Sequence, residues 1–183
     1  MKLDARRGFW ESALDALTRK RTNEDPLSNN RRENRAMAVK AIPVGYHTVT
    51  PFLVVEGAAK MIDFIKQAFG AEEVMRMPTP SGEIMHAEVK IGDSMVMLTD
   101  AMNQAPTSSS TFLYVNDVDG VYKRALKAGA KSISEPANMF WGDRFAQVAD
   151  SFGNRWSIAT HVEDVPPQEI AKRAAAAMKQ QGK

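Results

Sequence analysis

Two stretches decide the fold: FLVVEGAAKMIDFIKQAFGAE at 52–72 and FLYVNDVDGVYKRALKAGAKS at 112–132. Each begins with a short β-rich run, Phe-Leu-x-Val, and turns at Glu56-Gly57 or Asn116-Asp117. Each continues as an amphipathic helix and stops at Gly70 or Gly129. Glycine fits just past a last helical turn because it adopts the left-handed conformation without a Cβ clash. The segments after the two helices match as well. HAEVKIGDSMVML at 86–98 and FAQVADSFGNRWSI at 145–158 both alternate on a two-residue period, turn at Gly92 or Gly153, and alternate again. The unit is strand, helix and antiparallel strands, and it occurs twice. Each sheet then carries helices on one face, leaving the other to curve around a cleft.

The flanks read differently. Trp10, Ala13, Leu14 and Leu17 recur at helical spacing and predict an amphipathic helix over 4–19. TNEDPLSNNRRENR after it has almost nothing apolar to bury and reads as a linker, its Arg31, Arg32 and Arg35 a solvated cluster. The domain plan is therefore a helix and linker over 1–42, a core domain over 43–165 with repeats at 44–101 and 108–162, and a C-terminal helix over 166–183. Pro166 and Pro167 precede that helix, and alanines fill it.

Composition narrows the function. The chain has no cysteine, which removes disulfides, thiolate metal sites, iron–sulfur clusters and cysteine nucleophiles. A formal charge of +2 gives no electrostatic case for nucleic acid. No apolar run reaches about 18 residues, the minimum for a membrane span. Acidic and basic residues interrupt the first 21 residues, unlike a secretory signal, so the expected location is the cytoplasm. There is no G-x-S-x-G, phosphate loop, dinucleotide fingerprint or H-E-x-x-H.

Two such βαβββ modules resemble the vicinal oxygen chelate superfamily, which includes glyoxalase I, bleomycin-resistance proteins and extradiol dioxygenases. TPFLVVEGAAKMIDFIKQAFGAE, IMHAEVKIGDSMVMLTD, WGDRF and DSFGNRWSIATH are similar to its PhnB-like branch. The resemblance implies an α+β fold, with the modules forming one curved mixed sheet around a shared cleft. It also implies a homodimer, and the apolar stripe of the N-terminal helix would lie on the neighbouring subunit or on its own body.

The superfamily's metal enzymes take one ligand from the first strand and one from the last strand of each module, usually histidine or glutamate. The matching positions here are Thr50, Met97, Ser110 and Ser157. Hydroxyls and a thioether are poor ligands for zinc, nickel or iron. The expectation is no metal and no cofactor. His47, three residues before Thr50 and of opposite parity, reads as a surface histidine.

Alternation then sets what faces the cleft. With Thr50 and Ser110 inward, Thr48, Phe52, Phe112 and Tyr114 share that side, as do Met95, Met97, Thr99, Arg155 and Ser157. Met85, Ala87, Val89 and Ile91 turn to the helices, leaving His86, Glu88 and Lys90 on the cleft side, matched by Phe145 and Gln147. His86 and Glu88 are candidate catalytic residues, a carboxylate orienting an imidazole, or else an ordinary surface pair. Candidate ligand-binding residues are Thr50, Phe52, Met97, Ser110, Phe112, Tyr114, Trp141, Arg144, Phe145 and Ser157. Trp141 would stack a ligand and Arg144 meet an anionic group, or the FWGDR loop is a tight turn with an Asp143–Arg144 ion pair.

Three functions remain. The first is metal-independent binding, for sequestration or resistance, of a small, largely apolar or planar molecule. The second is a lyase-, isomerase- or hydrolase-type enzyme using His86 and Glu88 or a non-standard metal. The third is a protein-interaction module.

Overall fold

In the computed structural model, which describes residues 40–102 and 104–181, the two sequence repeats become two copies of one module. The first comprises β1 (Phe52–Val55), α1 (Ala58–Phe69), β2 (Glu72–Pro78), β3 (Ile84–Ile91) and β4 (Ser94–Asp100). The second comprises β5 (Ser110–Tyr114), α2 (Val118–Lys127), β6 (Lys131–Asn138), β7 (Asp143–Ala149) and β8 (Arg155–His161). A further helix, α3 (Pro167–Gln181), comes after them. The expected N-terminal helix at 4–19, its linker and the arginine cluster lie outside the described residues. No helix among the described residues is long and apolar enough to cross a membrane.

The sheet orders are β1-β4-β3-β2 and β5-β8-β7-β6, with β1 parallel to β4, β5 parallel to β8, and the rest antiparallel. The α+β class and the two βαβββ units are as the sequence implies, but the single expected sheet is divided into two of four strands. The reason lies in the linker after β4. Thr107 N–H donates to the Val54 carbonyl (3.0 Å), so the linker occupies a position on the outer edge of β1 where a strand of the second module would pair.

In each module a polar side chain near the end of the last strand caps the helix that precedes it in the chain. Gly57 precedes α1 and has no side chain to cap it. Asp100, at the end of β4, does so instead: its Oδ1 accepts from the N–H groups of Gly57 and Ala58, both at 2.8 Å, and its Oδ2 from Ile84 N–H at 2.6 Å. A carboxylate there also meets the positive end of the helix dipole. Thr160 is the counterpart in the second module, accepting from Val118 N–H (2.9 Å) while donating to the Val115 carbonyl (2.9 Å).

Both helices bury their apolar stripes in one core with the helix-bearing faces of the sheets. Met61, Ile62 and Ile65 of α1 join Val89 and Leu98, and α2 adds Val121 and Ala125. Phe69 at the end of α1 lies 4.7 Å, ring to ring, from Trp156 of β8, tying the modules together. Each such fully buried large side chain contributes roughly 1.5–3 kcal/mol by leaving water.

In β3 the alternation slips. Met77 pairs with His86 but Pro78 pairs with Ile84, so Met85 is bulged. Ile84 takes the core position expected of Met85, which is exposed, while Ala87 and Val89 are buried as expected. Thr99 Oγ1 donates to the freed Met85 carbonyl at 3.0 Å.

Candidate functional site

The helix-free faces of the two sheets hold the candidate residues, and they form two clusters rather than one. On the first sheet the ladders align Phe52, Met97 and Glu88 in one row. His86 Nε2 lies 3.1 Å from Glu88 Oε1, and the His86 ring stacks on Phe52 with 6.4 Å between centroids. The expected His86–Glu88 pair is thus made, half-buried rather than out in bulk water. Tyr46 completes it. Hydrogen bonding to Tyr46 and then to His86 holds Glu88 below the usual carboxylate range, against the upward push of burial. The same contact with Glu88, helped by burial, pushes the Tyr46 phenol up to about 12. Tyr46 precedes β1 by several residues, and nothing local in the sequence ties it to Glu88.

On the second sheet the same face is an aromatic wall. Phe112 lies 5.0 Å from Tyr114 and 5.9 Å from Phe145, and Trp141 lies 6.0 Å from Phe145, all between ring centroids. Phe112 is 48% exposed and Tyr114 67%. Beside them, Gln147 Nε2 donates to Ser157 Oγ at 2.9 Å.

Asp143 holds this wall. Its buried carboxylate accepts from Tyr114 O–H (3.1 Å) and Trp141 Nε1–H (2.9 Å) on one oxygen and faces His161 Nδ1 (2.8 Å) on the other. The other ring nitrogen of His161 faces Asp164 at 3.0 Å. With a carboxylate on each nitrogen, Asp164 first and Asp143 second, the His161 pKa rises above its ordinary value. Burial, and next the bond to Asp143, raise the Tyr114 phenol as well.

Asp143 and Arg144 do not pair. Adjacent strand residues point to opposite faces, so Arg144 leaves the aromatic side and grips Asp119 of α2 with two bonds of 2.6 Å, adding Asn138 at 3.2 Å. That ties α2 to β7 and takes Arg144 out of the cluster. Sequence reading missed Tyr46, His161 and the hub role of Asp143. The last two were within reach, because Asp143 and His161 are direct cross-strand partners in the β7–β8 hairpin.

The four positions of the superfamily's metal set can be judged by their chemistry. Thr50 lies before β1, its hydroxyl donating to the His47 carbonyl (3.1 Å), and Ser157 accepts from Gln147. Met97 offers a thioether on the ladder row of Phe52, and Ser110 is an exposed hydroxyl. Among the described residues no group of three or more His, Asp and Glu side chains is arranged to hold an ion. These residues do not fit the metal that the superfamily's enzymes carry. His47 itself is exposed.

Comparison with known proteins agrees with this architecture. Residues 45–158 match the family described as Glyoxalase/Bleomycin resistance protein/Dioxygenase superfamily. The uncharacterized protein Rv0887c of Mycobacterium tuberculosis is 38% identical over 165 residues, covering 84% of this chain and 92% of its own. Among solved structures, TioX from Micromonospora sp. ML1 superposes with a TM-score of 0.57 at 24% identity, over 63% of this chain and 99% of TioX. A PhnB protein from Bacillus cereus gives 0.54 at 19% identity, over 62% of this chain and 99% of its own. The two modules, their strand order and the extent of the family match lead to one conclusion: the chain belongs to the glyoxalase/bleomycin resistance protein/dioxygenase superfamily.

Proposed function

We propose that this protein binds a small, planar or largely apolar molecule without a metal, in sequestration or resistance, and that it does so as a homodimer. The observation that carries the reading is the aromatic wall of Phe112, Tyr114, Phe145 and Trp141, half-open to solvent and braced by Asp143. Stacking on such a wall suits flat apolar ligands, and the adjoining hydroxyl and amide groups of Ser157 and Gln147 supply a few polar anchors.

The case for a dimer rests on enclosure. A drug-sized ligand is held with most of its surface buried. No described contact joins the Phe52–His86–Glu88–Met97 face to the aromatic face within one chain. A second copy that sets one face against the other would close the cleft and gather His86, Glu88, Met97, Tyr114 and Trp141 around one ligand. Thermal-shift screening against neutral planar aromatics tests the reading, with elemental analysis of protein purified without chelator. Stabilisation by planar compounds in metal-free protein is expected; stoichiometric bound metal, or no stabilisation by any of them, would overturn it.

A second reading, catalysis at His86 and Glu88, is favoured by one observation: Glu88 is kept ionised by Tyr46 and His86 and is positioned to serve as a base. Turnover abolished in Glu88→Gln with ligand binding retained would establish it.

A further inference from the structure

The two modules repeat one another, but the two seams where they meet do not. At one seam the chain leading into β5 lies along β1, with Thr107 N–H bonded to the Val54 carbonyl. Asn154 locks that segment: its Oδ1 accepts from Ser109 N–H (3.0 Å) and Ser109 O–H (2.9 Å). Phe152, from the long turn between β7 and β8, packs on the core near Gly57.

The other seam lacks all three devices. His47 stands eight residues before Val55, as Thr107 stands before Val115. The counterpart of the Thr107–Val54 bond would join His47 to the Tyr114 carbonyl. No such bond is present among the described residues, and the His47 carbonyl accepts from Thr50 Oγ1. The turn between β3 and β4 is only Gly92-Asp93, with no residue to match Phe152 or Asn154. What remains is a groove of about 660 Å³ along the free edge of β5. Its floor is Phe69, Val96, Leu113 and Val121, and its charged groups are Asp93, Asp117 and Arg124.

The edge itself is a row of main-chain donors and acceptors. In the parallel ladder, Ser109 and Val115 bond towards β8, which turns the N–H and C=O groups of Phe112 and Tyr114 outward. Among the described residues no strand pairs with that edge. We infer that this groove, which borders the aromatic wall at Phe112 and Tyr114, is a second binding site, and that it takes an extended peptide segment by strand addition to β5. The closed seam shows what such an edge accepts in this fold: a stretch of main chain entering through its amide N–H. Two carboxylates against one guanidinium select a neutral or basic segment over an acidic one. The short edge limits pairing to about three residues, with side chains for an apolar floor.

The probe is the blocked tripeptide Ac-Val-Thr-Val-NH2, titrated into the full chain and followed by amide chemical shifts. Saturable shifts are expected in 91–96 and at Thr111, Leu113 and Val115, with at least tenfold weaker binding when the central amide is N-methylated. A central Lys should bind more tightly than a central Asp. Val49→Trp, at an 82% exposed position on the groove rim, should weaken binding by a similar factor, whereas Phe145→Ala should leave it unchanged. No shifts, equal affinity of the N-methylated peptide, or shifts centred on Phe52 or Phe145 would overturn the site.

Discussion

Asp143 and His161 face each other across the last rung of the β7–β8 ladder, carboxylate to imidazole at 2.8 Å, with Asp164 closing on the other nitrogen at 3.0 Å. The proton that this arrangement favours sits on His161 more firmly in the folded chain than in the unfolded one. Its stabilising effect is therefore complete below about pH 6.5, the free imidazole value, and fades as pH rises through the raised folded value. Thermal melts of wild type and His161→Gln should differ most at about pH 5.5 and converge at alkaline pH. A gap that grows with pH would contradict the assignment.

Gly142 sits between Trp141 and Asp143 with φ of 101°, and a Cβ there would lie 2.1 Å from the Glu163 carbonyl oxygen. That oxygen belongs to backbone held in place, since Val162 and Glu163 N–H both bond to the Gly142 carbonyl at 3.0 Å. Gly142→Ala must move the loop. It should cost at least about 2 kcal/mol in denaturant melts and broaden the indole N–H resonance of Trp141. Unchanged stability would mean that the loop is not braced in this way.

Asp100 anchors the first module, in the position that Thr160 holds in the second. Burial works against its ionisation, yet the N–H groups of Ala58, Ile84 and Gly57 together outweigh it and hold the carboxyl below its ordinary value. The stability it adds is present above about pH 3.9 and lost as pH falls through the lowered folded value. Asp100→Ala, which leaves three N–H groups without a partner, should cost about 2–3 kcal/mol at pH 7, with the penalty shrinking in acid. Equal penalties at pH 7 and pH 2.5 would refute the carboxylate's part.

Most of the module plan was legible because it is written in local pattern. The helices show in the spacing of Met61, Ile62 and Ile65, their ends in Gly70 and Gly129, and the hairpins in Gly92 and Gly153. What was not legible depends on partners far apart in sequence. The bulge at Met85 is set by where β2 pairs with β3, and the burial of Ile84 results from it. The division into two sheets turns on one bond from the linker, Thr107 to Val54. Loop position alone puts Arg144 on the ligand side, but strand parity sends it to Asp119. The Asp143–His161 pair is readable by counting outward from the 150–154 turn, since Ala149 pairs with Arg155.

Tyr46 and Glu88 offer a test on the other face. Tyr46→Phe removes the first of the two hydrogen bonds that lower Glu88, so the Glu88 pKa should rise towards its ordinary value. Carboxyl carbon NMR titration reads this directly. No change would mean that His86 alone sets the charge of Glu88.

The central claim is that the aromatic wall binds a flat apolar molecule and needs no metal to do so. Calorimetric titration of acridine into protein dialysed against EDTA tests it most directly, with Phe112→Ala and Phe145→Ala alongside. The account predicts saturable binding in the metal-free protein, weakened about tenfold by either substitution, the loss expected for one stacked ring. Binding that appears only when zinc or nickel is restored, or that both substitutions leave untouched, would contradict it.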